Sequence, residues 1–220
     1  MERKQFIVIG MGRFGQSVAR CLTAMGKEVL AVDKSEELIN DIAPYVTHAV
    51  QADATDEKAL NALGLRNFDV AVVTIGDDIQ SSILVTLLCK EIGIGYVVAK
   101  AQSDLHAKVL LKTGADKVVF PERDMGMRLA HNLAAANVID YIQVSGDLNV
   151  LEVNAVSQWT EKSLIELDFR KKYGVNVIAI KKENGKVNTA PHGEDVIDKG
   201  DVLIVVGQTA DIARVEKITQ

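Results

Sequence analysis

Phe6-Ile7-Val8-Ile9-Gly10-Met11-Gly12-Arg13-Phe14-Gly15, followed by the apolar run Val29 to Val32 and then Asp33, decides the fold. The first four residues are apolar and rich in β-branched side chains, as a buried parallel strand requires. The three glycines then divide the work of a strand-to-helix turn. Gly10 permits the tight turn, Gly12 lets the main chain approach a phosphate, and Gly15 lets the helix pack closely on the strand. The unpaired N–H groups and partial positive charge of the helix start favour an anion, and the Asp33 carboxylate can accept hydrogen bonds from ribose hydroxyls. Strand, glycines, helix pattern and acidic residue together read as a nucleotide-binding crevice. A glycine-rich turn in an α/β protein that binds nothing is the bland alternative.

Outward from this stretch, short apolar runs recur at Thr47 to Val50, Val70 to Ile75, Tyr96 to Ala99 and Val118 to Phe120. Helical patterns lie between them, with Ser35 and Ser103 placed as N-caps. Six strands joined by five crossover helices predict a Rossmann-like, doubly wound parallel α/β sheet. A last helix is expected over Glu122 to Ala136, with Met125, Leu129 and Leu133 on one face, suited either to a subunit contact or to packing on its own sheet. The pattern changes near Ser145, Gly146 and Asp147. A strand from Val150, a short helix over Ser163 to Lys172, a strand over Val175 to Ile180, a turn at Asn184-Gly185, a Pro191 loop, a strand over Val202 to Val206 and a closing helix read as a smaller α+β module. The expected domains are 1–144 and 145–220.

Composition narrows the setting. The 220 residues, 48% hydrophobic, suffice for one large and one small core. A net charge of −5 with scattered Lys and Arg excludes a basic stripe for nucleic acid. Cys21 and Cys89 lack the spacing of a zinc or redox pair, which predicts a cytosolic protein. The charges from Met1 to Gln5 speak against a signal peptide, and the apolar runs are too short to span a bilayer. His48, His106, His131 and His192 show no zinc-site spacing, and no catalytic nucleophile motif is present.

The glycine stretch, Asp33, Ala52-Asp53-Ala54-Thr55, Lys100-Ala101-Gln102, Gly114-Ala115-Asp116 and Phe120-Pro121-Glu122 closely resemble RCK (KTN) domains. Pro191 and the stretch Ile197 to Gly207 are similar to the C-terminal module of bacterial Ktr and Trk potassium-uptake systems. The resemblance covers essentially the whole chain and implies a non-enzymatic, cytosolic regulatory subunit of Ktr type. It further implies a homo-octameric ring, a tetramer of dimers, with ATP or ADP in the crevice. A membrane potassium-translocating subunit would be its partner, which would place the ring at the inner face of the membrane.

By the same resemblance Arg13 would reach the γ-phosphate of ATP held by the neighbouring subunit. A solvated first-turn arginine is its alternative, although a cation there opposes the helix dipole. Met11 and Phe14 belong to the same phosphate turn. Glu122 would hold Mg²⁺ or Ca²⁺, against the plain reading of a first-turn carboxylate stabilised by the dipole. Lys34 would contact the nucleoside or be a surface lysine, and Asp53, Ala54 and Thr55 would line the adenine end, unless Thr55 caps the next helix. Ile75, Gly76 and Lys100 end their strands at the same crevice, where Gly76 could serve only the turn. In the second module the resemblance implies cyclic di-AMP. Leu164 and Ile165 would pack its adenines and Arg170 would meet a phosphate, while Asn176, Ile178 and Ala190-Pro191-His192 complete the site. Arg170, Lys171 and Lys172 also satisfy a helix C-terminus by themselves, and Lys181 with Lys182 offers a second cationic patch. Two rival readings remain. The glycine fingerprint with Asp33 also serves NAD(H) in oxidoreductases, although no substrate domain accompanies it here, and the nucleotide could merely stabilise an oligomeric scaffold.

Overall fold

The computed structural model describes residues 4–134 and 136–218, so part of the charged stretch from Met1 to Gln5 lies outside the described residues. The chain forms two compact units, Met1–Pro121 and Glu122–Gln220. In the first, β1 (Gln5–Ile9), β2 (Glu28–Asp33), β3 (His48–Gln51), β4 (Val70–Val73), β5 (Tyr96–Lys100) and β6 (Lys117–Val119) form one parallel sheet in the order β3-β2-β1-β4-β5-β6. The crossover helices are α1 (Arg13–Ala24), α2 (Glu36–Ile42), α3 (Glu57–Ala62), α4 (Ile79–Ile92) and α5 (Asp104–Lys112). The expected doubly wound architecture is therefore present.

Strand alternation gives this sheet two apolar faces. Ile7, Ile9, Val73 and Val97 pack with Val85, Leu88 and Cys89 of α4 and Leu110 of α5. Val8, Val29 and Ala31 pack with Ala19 of α1 and with Ile39 and Ile42 of α2. Each fully buried Val, Leu or Ile among them contributes about 1.5–3 kcal/mol of transfer free energy. Right-handed crossovers explain the division of helices, because the chain winds from β1 to β3 in one direction and from β3 to β6 in the other. On the α1 side this leaves a groove of ≈ 400 Å³ lined by Phe6, Phe14, Val70, Val72, Tyr96 and Val98, among others.

The second unit opens with α6 (Pro121–Ala134). No described residue of α6 is buried, and its expected stripe stands clear: Met125, Leu129 and Leu133 are 59%, 55% and 77% exposed. Ala136, expected to end this helix, stands in a turn, and residue 135 lies outside the described residues. An antiparallel sheet follows in the order β11-β10-β13-β8-β7, from β7 (Val138–Ser145), β8 (Leu148–Asn154), β10 (Asn176–Lys181), β11 (Val187–Asn188) and β13 (Val202–Gln208). β9 (Lys162–Ser163) and β12 (Val196–Ile197) form a separate pair, and α9 (Thr209–Ile218) closes the described chain. The sequence pattern does not predict a strand over 138–145, where two register shifts against β8 interrupt the alternation. Its pairing with β8 puts β7 in the second unit, and the packing divides at Pro121–Glu122, upstream of the expected division at 144/145. The single helix expected over Ser163 to Lys172 is instead two, α7 (Leu164–Leu167) and α8 (Phe169–Tyr173), broken at Asp168, whose φ of 44° is left-handed. Trp159, Phe169, Leu151 and Leu203 form the core of this unit.

Candidate functional site: a glycine-shaped crevice and a side-chain cluster

The crevice is built from the turn between β1 and α1. Gly10 takes φ +100°, and its N–H donates to the Val32 carbonyl of the neighbouring strand. A Cβ at Gly15 would lie 1.9 Å from the Gly10 carbonyl oxygen, so helix and turn touch directly there. A Cβ at Gly12 would meet nothing within 4 Å. The protein's own packing therefore does not demand glycine at position 12, and open space lies in front of the α1 start. The other α-helix starts among the described residues of this unit are closed by side chains. Ser35, Asp56, Asp78 and Ser103 cap α2, α3, α4 and α5, and carboxylates stand in the first turns of α2, α3 and α5. The α1 start has Gly12 as N-cap, no side-chain cap, no acid in its first turn, and Arg13 as its first residue. Arg13 is exposed. Such a terminus is electrostatically unfinished, and an anion with several acceptor oxygens completes it.

Asp33 ends β2 beside this turn. Its Oδ2 accepts the Met11 N–H and its Oδ1 the Ser35 N–H at 2.8 Å. The carboxylate thus fixes the turn and keeps further lone pairs that can accept hydrogen bonds. Thr74 ties β4 to the same place, its hydroxyl donating to the Gly10 carbonyl oxygen at 2.6 Å. Strand order reverses between β1 and β4, where α/β sheets collect their ligands. Thr74 and the Asp78 cap were not singled out from sequence. A polar residue closing the apolar run Val70 to Val73, and an acid after Gly76, were the available signals.

The remaining crevice residues divide. Met11 and Ala54 are buried, Phe14 is half-buried, and Lys34 is exposed at the end of β2. The charge of Lys34 acts on both Asp53 and Asp78. Thr55 donates its hydroxyl and its N–H to Asp53, at 2.7 and 2.9 Å, and so holds the Asp53 carboxyl below the usual carboxylate range. Thr55 is therefore not the cap of α3, because Asp56 takes that place by accepting the Lys58 N–H. Ile75 and Gly76 follow β4, and the Lys100 ammonium reaches over Gly76 from the end of β5. Glu122 lies in the first turn of α6, in the second unit. No group of three or more His, Cys, Asp or Glu arranged for a metal ion occurs among the described residues. A cation at Glu122 would therefore need oxygen ligands from elsewhere, such as nucleotide phosphates.

In the second unit the expected ligand residues fall into separate contacts, Arg170 with Asn176 and Ile165 with the loop after Pro191. Arg170, in the last turn of α8, donates from Nε to Asn176 Oδ1 at 2.7 Å. Ile165 is 66% exposed, its N–H donates to the Gly193 carbonyl, and a Cβ on Gly193 would strike it at 2.5 Å. Ile178 sits at the bulge of β10 and is turned outward. Leu164, by contrast, is half-buried against the core. Asp195 holds the Ala190-Pro191-His192 loop in shape, accepting from the His192 N–H and from Asn188 Nδ2. Gly193 and Asp195 escaped sequence reading because their roles depend on the loop closing against α7. Lys182 leaves the proposed second cationic patch. Its ammonium is committed to Asp198, to Asp201 and to the Val196 carbonyl. The free cysteines are Cys21 and Cys89, and burial pushes the Cys89 thiol up to about 12.

No helix among the described residues is long and apolar enough to cross a membrane. Residues 6–121 match the TrkA-N domain and residues 150–220 the TrkA-C domain. The Ktr system potassium uptake protein C of Bacillus subtilis is 47% identical over 215 residues, 98% of this chain and 97% of the relative. Among solved structures the GsuK RCK domain superposes with a TM-score of 0.68 at 18% identity, over 99% of this chain and 48% of that one. A GsuK structure bound to ADP gives a TM-score of 0.50 at 27% identity, over 60% of this chain and 34% of that one. This chain spans about half or less of the length of either structure. Its match to Ktr proteins runs nearly end to end, and the chain belongs to the Ktr potassium-uptake family, with a TrkA-N (RCK) domain followed by a TrkA-C domain.

Proposed function

We propose that this chain is a nucleotide-sensing, non-catalytic regulatory subunit that gates a membrane potassium-translocating partner from the cytoplasmic side. The observation that carries the reading is the α1 start, with Gly12 facing open space, Arg13 exposed beside it and Asp33 fixing the turn. ADP in a related RCK protein supports an adenine nucleotide there. Gating requires a ligand that binds two assembly states unequally. The γ-phosphate supplies the difference between ATP and ADP, Arg13 reads it, and Glu122 with a Mg²⁺ or Ca²⁺ ion adds a charge-neutralising contact. Subunits join as dimers within an octameric ring, which gives the exposed stripe of α6 and the apolar groove over β4–β6 their partners. In the second unit the Arg170–Asn176 pair and the exposed Ile165 and Ile178 support a cyclic di-AMP site shared by two copies.

Light scattering of the full chain combined with calorimetric titration tests this reading. An octamer is expected, with ATP bound more tightly than ADP, and Arg13→Ala should abolish that preference while leaving ADP affinity within about twofold. A strictly monomeric protein, equal losses of ATP and ADP in the variant, or a preference for NADH over both would overturn it.

A further inference from the structure

The loop after β11 keeps its main-chain donors to itself. The Asn188 amide oxygen accepts the Ala190 N–H at 3.2 Å, and Asn188 Nδ2 donates to Asp195 Oδ2 at 2.9 Å. The same Oδ2 accepts the His192 N–H at 2.8 Å, while the Asp195 N–H returns to the His192 carbonyl at 3.0 Å. Pro191 has no N–H to offer. Both main-chain donors of Ala190-Pro191-His192 are therefore taken, one by Asn188 and one by Asp195, although Ala190 and His192 are exposed to solvent. The loop is also fastened to the start of α7, because the Asp195 and Gly193 carbonyls accept the Leu164 and Ile165 N–H groups. Ile165 lies over Gly193, where a Cβ would stand 2.5 Å from its Cγ1.

Together Ile165, Ala190 and Pro191 form an apolar ledge, and its only polar side chain is the His192 ring. Its main chain has no N–H left over at 190–192 for a ligand. Flat purines all suit an apolar ledge, but they differ at position six, where adenine carries a donor amine and guanine a carbonyl that needs a donor. A guanine carbonyl brought against this main chain gives up water and gains no N–H in return, and an unmade bond of that kind costs more than a made one contributes. We propose that Asn188 and Asp195 are positioning residues that set base specificity in the second unit: by taking up the donors of the 190–192 ledge, they make it favour adenine over guanine. This inference rests on the cyclic di-AMP reading of the second unit. It requires neither residue to touch the ligand.

The test is calorimetric titration of the full-length chain with cyclic di-AMP and cyclic di-GMP, read as the ratio of the two affinities. Wild type should prefer cyclic di-AMP. Asp195→Ala releases the His192 N–H and should narrow that preference about fivefold, and Asn188→Ala, which releases the Ala190 N–H, about threefold. Asp195→Asn, whose amide oxygen can accept both bonds, should keep the wild-type ratio within about twofold. Urea unfolding followed through Trp159, fully buried in the same unit, shows that each variant is folded. If Asp195→Ala fails to fold, Asn188→Ala decides the matter. An unchanged ratio in the folded alanine variants would overturn the proposal, and this includes a parallel loss for both ligands, which a merely structural role would give. Equal wild-type affinities for the two would overturn it as well. A wild-type chain that binds neither would overturn the cyclic di-AMP reading itself, a separate failure.

Discussion

Gly10, Gly12 and Gly15 shape the crevice of the first unit with main-chain atoms, whereas the site proposed for the second unit would draw on the side chains of Arg170, Asn176, Ile165 and Ile178. The difference follows from the sheets. A parallel sheet ends in turns that open onto helix starts, so its ligand meets N–H groups and the absence of Cβ atoms. The antiparallel sheet ends in hairpins, and its recognition surface must come from side chains on short helices, a bulge and a loop. A backbone site tolerates substitution in an all-or-none way, while a side-chain site loses affinity in steps.

Breaking the backbone site gives the largest effect. Gly15→Ala places a methyl 1.9 Å from the Gly10 carbonyl oxygen and 2.6 Å from the Thr74 hydroxyl, and main-chain atoms cannot step aside. A loss of about 3 kcal/mol or more is expected, with collapse of nucleotide binding. Gly12→Ala meets nothing in the protein and should cost about 1 kcal/mol or less, since Gly12 is an N-cap with ordinary extended dihedrals. It should nevertheless reduce nucleotide affinity by about tenfold or more, because its methyl occupies the ligand's space. Urea unfolding and titration of the two variants check this. Equal stability losses would show that position 12 serves folding alone.

The side-chain site should yield a smaller loss. Arg170→Ala removes a charge-assisted phosphate contact and the bond to Asn176, and cyclic di-AMP binding by the full chain should weaken about tenfold. Lys182→Ala should leave messenger affinity unchanged while destabilising the second unit by about 1–3 kcal/mol, because it strips a cation from Asp201, which is 1% exposed. The opposite ranking of the two variants would move the site to the Lys181–Lys182 strand.

Legibility in the sequence divided along the same line. The alternation of apolar runs and helices, the caps Ser35 and Ser103, and the crevice glycines are local signals, and each stands where its pattern predicts. What escaped was non-local. β7 is a strand because β8 pairs with it, and two register shifts interrupt its alternation. The break at Asp168 places Phe169 in the core beside Trp159. Thr55 pairs with Asp53, two residues back, while the neighbouring acid Asp56 takes the cap, a competition that spacing does not decide. Gln102 appeared in the sequence only as a motif neighbour of Lys100, since its tether to His106 depends on the packing of α5.

The smallest effect concerns acid, and it compares the two units through their carboxylates. Arg128 of α6 grips Asp140 of β7 in a two-pronged contact, from Nε at 2.7 Å and from a terminal guanidinium nitrogen. Hydrogen bonding from Arg128, aided by Asn132 and the Tyr141 N–H, holds the Asp140 carboxyl below the usual range. A carboxyl depressed on folding stabilises fully above its unfolded pKa of about 3.9, and that contribution fades as the pH falls through the lower folded value. The pair should therefore stabilise the second unit above about pH 4 and lose that contribution as the pH falls further. Arg128 is 40% exposed, so at pH 7 Arg128→Ala should have little effect on stability. In the first unit Asp116 is depressed in the same sense, chiefly by the Val97 N–H and then by Lys90, and the substitution leaves it untouched. Trp159, the single tryptophan, is fully buried in the second unit, so its fluorescence follows that unit during acid titration. Arg128→Ala should raise the acid midpoint seen by Trp159 by a few tenths of a pH unit. A midpoint identical to wild type would mean that the grip on Asp140 adds nothing to the stability of the second unit.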